Sequence, residues 1–168
     1  MRDSSTGSSG TRSQWYKAEE CLGWLSLPTP DPRYAPVMIT RPTEEWRDKV
    51  QQQKAAVAAG TLNEAQAYAL HLWPESFIDA VDVALDQYEA DARWLRGLTD
   101  EQAFASVERV VSALNAIDVE HGCIETTVRE ELCEYIDDVL AEAGVDVDAL
   151  TARRGIPRHE LTDQWRDW

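Results

Sequence analysis

His121, Cys123 and Glu125 stand within one short stretch, and Cys133 follows ten residues after Cys123. Imidazole, thiol and carboxylate are metal ligands and proton carriers, so this stretch is the first place to look for chemistry. A His-x-Cys pair followed by a lone Cys is not a zinc spacing, even with His159 added. Cys133, beside Leu132 and Ile136, reads as a small buried apolar residue. A di-iron carboxylate bundle needs inward-facing Glu-x-x-His pairs, and none occurs. Glu108 and Asn115 lie seven apart near the edge of an apolar helical face, with Glu125 and Arg129 framing the turn that follows. An Asn so placed more often ties down a neighbouring helix end than does chemistry. At this level Glu108, Asn115, Glu125 and Arg129 stay open between structural and functional roles. His71, between Leu70 and Leu72, reads as a half-buried packing residue. No nucleophile elbow, P-loop or GxGxxG is present, so neither a cofactor nor a metal is expected.

The strongest signal is charge. Thirty-one acids against 16 bases leave a formal net charge of -15, which repels phosphate backbones and anionic lipid surfaces. Direct binding to nucleic acid or membrane is therefore not expected. From Asp118 to Asp148 there are eleven acids and one base, Arg129. On a helical wheel Glu130, Glu134, Asp137 and Asp138 fall opposite Leu132, Ile136 and Val139, and an earlier helix carries Asp79, Asp82, Asp86 and Glu89. Side by side, the two faces would make one broad negative surface. A solvated face is the plain reading. The functional reading is a docking surface for a basic protein partner, since like charges at i,i+4 cost helix stability and steering toward a cation is the usual gain. The candidate partner-binding residues are Glu130, Glu134, Asp137, Asp138, Asp82, Asp86 and Glu89.

The elements that would carry these faces read as helices. Residues 1–14 are a Ser- and Gly-rich leader too polar to order. Residues 15–41 form a Pro-rich arm with a short helix from about Tyr16 to Leu25, laid on a bundle formed by residues 42–168. Pro42 with Glu44 and Glu45 starts a helix that Gly60 ends. Thr61-Leu62-Asn63-Glu64 reads as a capping box for a helix reaching Trp73. A helix from Glu75 to Arg96 follows, stopped by Gly97. Thr99-Asp100-Glu101-Gln102 is a second box, ahead of a helix covering Phe104 to Ile117. Thr127-Val128-Arg129-Glu130 is a third, opening a helix to Ala143. Asp146 caps a short helix from about Val147 to Arg153, and Trp165 and Trp168 read as a docked terminus. The chain is thus an all-α single-domain bundle of five to six helices. Three cysteines without CxxC spacing and no secretory signal point to the cytoplasm.

The run Ala113-Leu114-Asn115-Ala116-Ile117, the Ile124-Glu125-Thr126 turn, Arg129-Glu130-Glu131-Leu132 and Trp165-Arg166-Asp167-Trp168 resemble small acidic helical proteins of bacteria. Some of those are immunity proteins that neutralise a cognate toxin. The resemblance covers residues 60–168 at most and implies a non-catalytic inhibitor of a basic toxin or nuclease, with no catalytic residues to carry over. Two other classes compete with it. One is a small enzyme using Glu108, Glu125 and His121 near the 118–127 turn. The other is a structural subunit anchored by Trp165 and Trp168.

Overall fold

The computed structural model describes residues 39–93 and 99–168. The leader, the Tyr16 to Leu25 helix, most of the Pro-rich arm and the Gly97 stop lie outside the described residues. Among those described there are six α-helices and no strand: α1 (Pro42–Ala58), α2 (Tyr68–Leu72), α3 (Glu75–Ala92), α4 (Asp100–His121), α5 (Thr126–Glu142) and α6 (Val147–Arg154). The all-α reading therefore holds. No helix among the described residues is long and apolar enough to cross a membrane.

The core follows from helical periodicity. Apolar residues at spacings of three and four put Phe77, Ile78, Val81, Leu85 and Tyr88 of α3 on one buried stripe, matched by Phe104, Val107, Val111 and Leu114 of α4. These two helices pack along each other, and α5 closes the core with Val128, Leu132, Ile136 and Leu140. The Tyr88 hydroxyl, buried within this apolar layer, donates to the Ile136 carbonyl at 2.7 Å and so ties α3 to α5. Trp46 of α1 is fully buried, stacked between Trp73 and Phe77 at centroid distances of 6.0 and 5.7 Å. Its indole N–H donates to Glu131 of α5 at 2.6 Å. That one side chain therefore fixes α1 against both α3 and α5.

Helix ends are set by local chemistry, with two departures from expectation. The Thr99 and Gln102 capping box forms, with the Thr99 N–H donating to the Gln102 side chain at 2.9 Å, and α4 runs past the expected Ile117 to His121. Gly122 takes a left-handed φ of 61°, which L side chains adopt only with strain, and its N–H closes α4 on the Asp118 carbonyl at 2.7 Å. The Asp118 carboxylate also accepts from the Ile124 N–H at 2.8 Å, which pins the turn into α5. Asp146 caps α6 through the Ala149 N–H.

The Thr61 box does not form. The Thr61 hydroxyl donates back to the Ala56 carbonyl at 3.0 Å and finishes α1 instead. Asn63 caps a single 3-10 turn, Glu64–Gln66, before the short α2. The Thr127 box is absent as well, because the Arg129 N–H bonds the Glu125 carbonyl at 2.8 Å and makes Glu125 the N-cap.

Trp46→Ala is expected to cost about 3–5 kcal/mol, as large aromatic truncations in a core do. Val83→Ala, at an exposed site on α3, should stay within about 0.5 kcal/mol of the parent. Urea unfolding measures both, and a Trp46→Ala loss no larger than that of Val83→Ala refutes the anchoring role.

Candidate partner-binding surface

The four acids of α3 lie on one face, and α1 delivers two arginines onto it. Arg41 precedes Pro42, the first residue of α1, and Arg47 lies further along the same helix. The Arg41 guanidinium donates to Glu89 at 2.7 Å and to Asp86 at 2.6 Å, and reaches within 3.8 Å of Asp82. Arg47 donates to Asp79 at 2.6 Å and forms a short hydrogen-bonded pair with Asp82. From α5, the Tyr135 hydroxyl donates to the same Glu89 carboxylate at 2.5 Å. Burial opposes the Arg41 charge, but the bond to Asp86 and the charge of Glu89 outweigh it and hold its pKa above the usual value. The Tyr135 hydroxyl is pushed up, first by burial and then by its bond to Glu89.

The acidic stripe of α5 has a different fate. Asp137 is paired with Arg158, which also donates to Asp148 at 2.8 Å. Glu131 is occupied by the Trp46 indole. Glu130, Glu134 and Asp138 are exposed at i, i+4 and i+8, and none has an ion-pair partner among the described residues. The structure thus divides the seven expected residues. Asp82, Asp86, Glu89 and Asp137 are compensated within the chain, while Glu130, Glu134 and Asp138 form an open crest. Arg41 and Arg47 place two cations among the four acids of α3, so the negative charge of that half is partly compensated while the crest of α5 is not paired among the described residues.

Two clefts flank the crest. On one side a groove of about 310 Å³ between α1 and α5 is lined by Pro42, Glu45, Glu131, Glu134, Tyr135 and Asp138. On the other, a cleft of about 600 Å³ places Glu130, Glu134 and Asp138 opposite Arg129, Arg158 and Arg166. Cys133 lies in that second cleft. It is half-buried rather than a core residue, with its Sγ 3.3 Å from the Thr162 hydroxyl and 3.1 Å from Arg166 Nη1. Cys123 is buried, donates to the His121 carbonyl, and has its thiol pKa pushed up by burial and by the charges of Asp118 and Glu125.

The other candidates separate. Glu108 and Glu125 are both exposed, and neither lines the groove, the cleft or a third depression of about 480 Å³ around Arg41, Glu89 and Tyr135. His121 packs edge-on against Phe77 at 5.8 Å. His71 is exposed, not half-buried, since two residues, about 200° of helix, separate it from the buried Ala69. Asn115 is a structural tie, donating to the Trp165 carbonyl at 2.7 Å, while the Trp165 ring lies 6.3 Å from Phe104. No group of three or more His, Cys, Asp or Glu with metal-holding geometry occurs among the described residues. Sequence reasoning missed Arg41, Arg47 and Arg158. Only their isolation amid acids hinted at them, since their partners lie 10 to 48 residues away. Comparison with known proteins finds no matching family model, no matching curated protein and no matching solved structure.

Burial raises the hydroxyl pKa values of Tyr88 and Tyr135, so the fold favours both in their neutral form. Their contribution to stability is then complete below about pH 10, the ordinary tyrosine value, and is lost as pH rises beyond it. Urea midpoints taken from about pH 8 to pH 11 should fall, and fall less steeply in Tyr135→Phe. A variant that falls as steeply as the parent contradicts this.

Proposed function

We propose that this chain is a non-catalytic acidic binding protein, in its concrete form an immunity-type inhibitor that docks electrostatically on a basic toxin or nuclease. The observation that carries the reading is the open crest of Glu130, Glu134 and Asp138, in a fold that finds arginine partners for neighbouring acids. Each i,i+4 pair of like charges costs roughly 0.2–0.5 kcal/mol of helix stability. A cationic partner removes that repulsion, and a net charge of -15 accelerates its approach. An enzyme that binds nucleic acid offers the matching surface, because its own cleft is basic. The resemblance to bacterial immunity proteins supports the same reading, and a cytoplasmic setting belongs to it. Glu108 and Glu125, both exposed and lining none of the three depressions, give no comparable support to a carboxylate enzyme. The docked Trp165 gives none to a free tryptophan anchor.

The product of the neighbouring gene, co-purified at low salt, identifies the partner, and calorimetry then tests it. Affinity is expected to fall at least about tenfold between 50 and 200 mM salt, as screening shortens the reach of each charge. Glu134→Lys with Asp138→Lys should abolish most of the binding, whereas Asp79→Asn should leave it nearly unchanged. An affinity indifferent to salt and to the charge reversal would falsify the proposal.

A further inference from the structure

Building on that docking reading, we infer that the partner seats a lysine or arginine side chain in the groove between α1 and α5, not in the larger cleft across the crest. Glu134 and Asp138 line both depressions, so their charge alone does not choose a side. The opposite walls choose. The far cleft is lined by Arg129 of α5 and by Arg158 and Arg166. Arg158 is held by Asp137 and Asp148 and Arg166 by Asp163, but Arg129 has no ion-pair partner among the described residues, so a cation entering there meets an uncompensated guanidinium. In the groove the facing wall is Glu45 and Pro42. Glu45 is paired with Lys49 at 2.6 Å, and Arg41, the one cation among the described lining residues, already has its guanidinium bound to Asp86 and Glu89.

The groove floor supports the same choice. The Tyr135 hydroxyl is committed to Glu89, and one Glu131 oxygen is committed to the Trp46 indole. The hydroxyl therefore offers no competing donor, while the carboxylates of Glu134 and Asp138 remain acceptors for a charge-assisted bond. At about 310 Å³ the groove lies at the small end of ligand-sized pockets, suited to one long side chain with its stem over Pro42. Of the two recesses beside the crest, the groove is thus the one whose described lining holds no unpaired cation. A basic anchor in a recess beneath an acidic rim is the arrangement that concentrates binding energy in few residues.

Single neutralisations on opposite sides of the crest test this, with hexa-arginine peptide as the probe and calorimetry at low salt as the readout. Glu45 lines only the groove and Glu130 only the arginine-walled cleft, and both are exposed. Glu45→Gln is expected to weaken peptide binding about fivefold, and Glu130→Gln less than about twofold. Amide shifts in the full chain should concentrate at Glu45, Glu131 and Tyr135. Equal weakening by the two variants means that only charge count matters. That result overturns the groove assignment and leaves the docking reading standing. Absence of any binding to the parent at low salt overturns both.

Discussion

The structure turns on one guanidinium. Arg41 stands where the chain enters α1 and is held by Asp86 and Glu89 of α3, while Tyr135 of α5 donates to the same Glu89 carboxylate. Three helices distant in sequence thus share a polar junction at the edge of an apolar core. With 22% of the Arg41 side chain exposed, the pair sits between two regimes. A fully exposed pair adds about 0–1 kcal/mol, and a fully buried one is costly unless every lone pair is satisfied. Here the hydrogen bonds around Glu89 supply part of that satisfaction, while Asp82 Oδ1, 3.8 Å from Arg41, is buried without a hydrogen-bond partner among the described residues. Trp46, one turn further along α1, fixes the same helix by apolar stacking and its bond to Glu131. Polar and apolar anchoring agree on a single position for α1.

Placing α1 in this way decides the electrostatics of the surface. Arg41 and Arg47 fall on the α3 acids, and Arg158 falls on Asp137. The remaining acids of α5 gather as a crest, repelling one another across successive turns. Among the described residues these three carboxylates, in register on one helix, have no ion-pair partner, and the proposed docking reading rests on that contrast.

What was legible in the sequence is what local chemistry determines. The buried stripes of α3, α4 and α5, the Thr99 box and the Asp146 cap all follow from residues within a turn or two of each other. Asn115 could be read as a tie because a lone amide on an apolar face has few other uses. Thr61 and Thr127 misled because a Thr-x-x-Glu pattern does not say which residue ends the preceding turn. Asn63 and Glu125 won those competitions through their own backbone and side-chain bonds. The division of the acids was not legible at all. Asp86 and Asp138 look alike in sequence, and what separates them is an arginine 45 residues away that only packing brings near.

Charge reversal followed by urea unfolding at low ionic strength tests this division most directly. Asp86→Lys with Glu89→Lys should lose about 3 kcal/mol or more, because Arg41 then faces cations in a half-buried site. Glu134→Lys with Asp138→Lys should stay within about 0.5 kcal/mol of the parent, since no internal pair is broken and a repulsion is relieved. Equal losses from the two double variants would mean that the crest is held by contacts of its own, and the case for an open docking surface would fall.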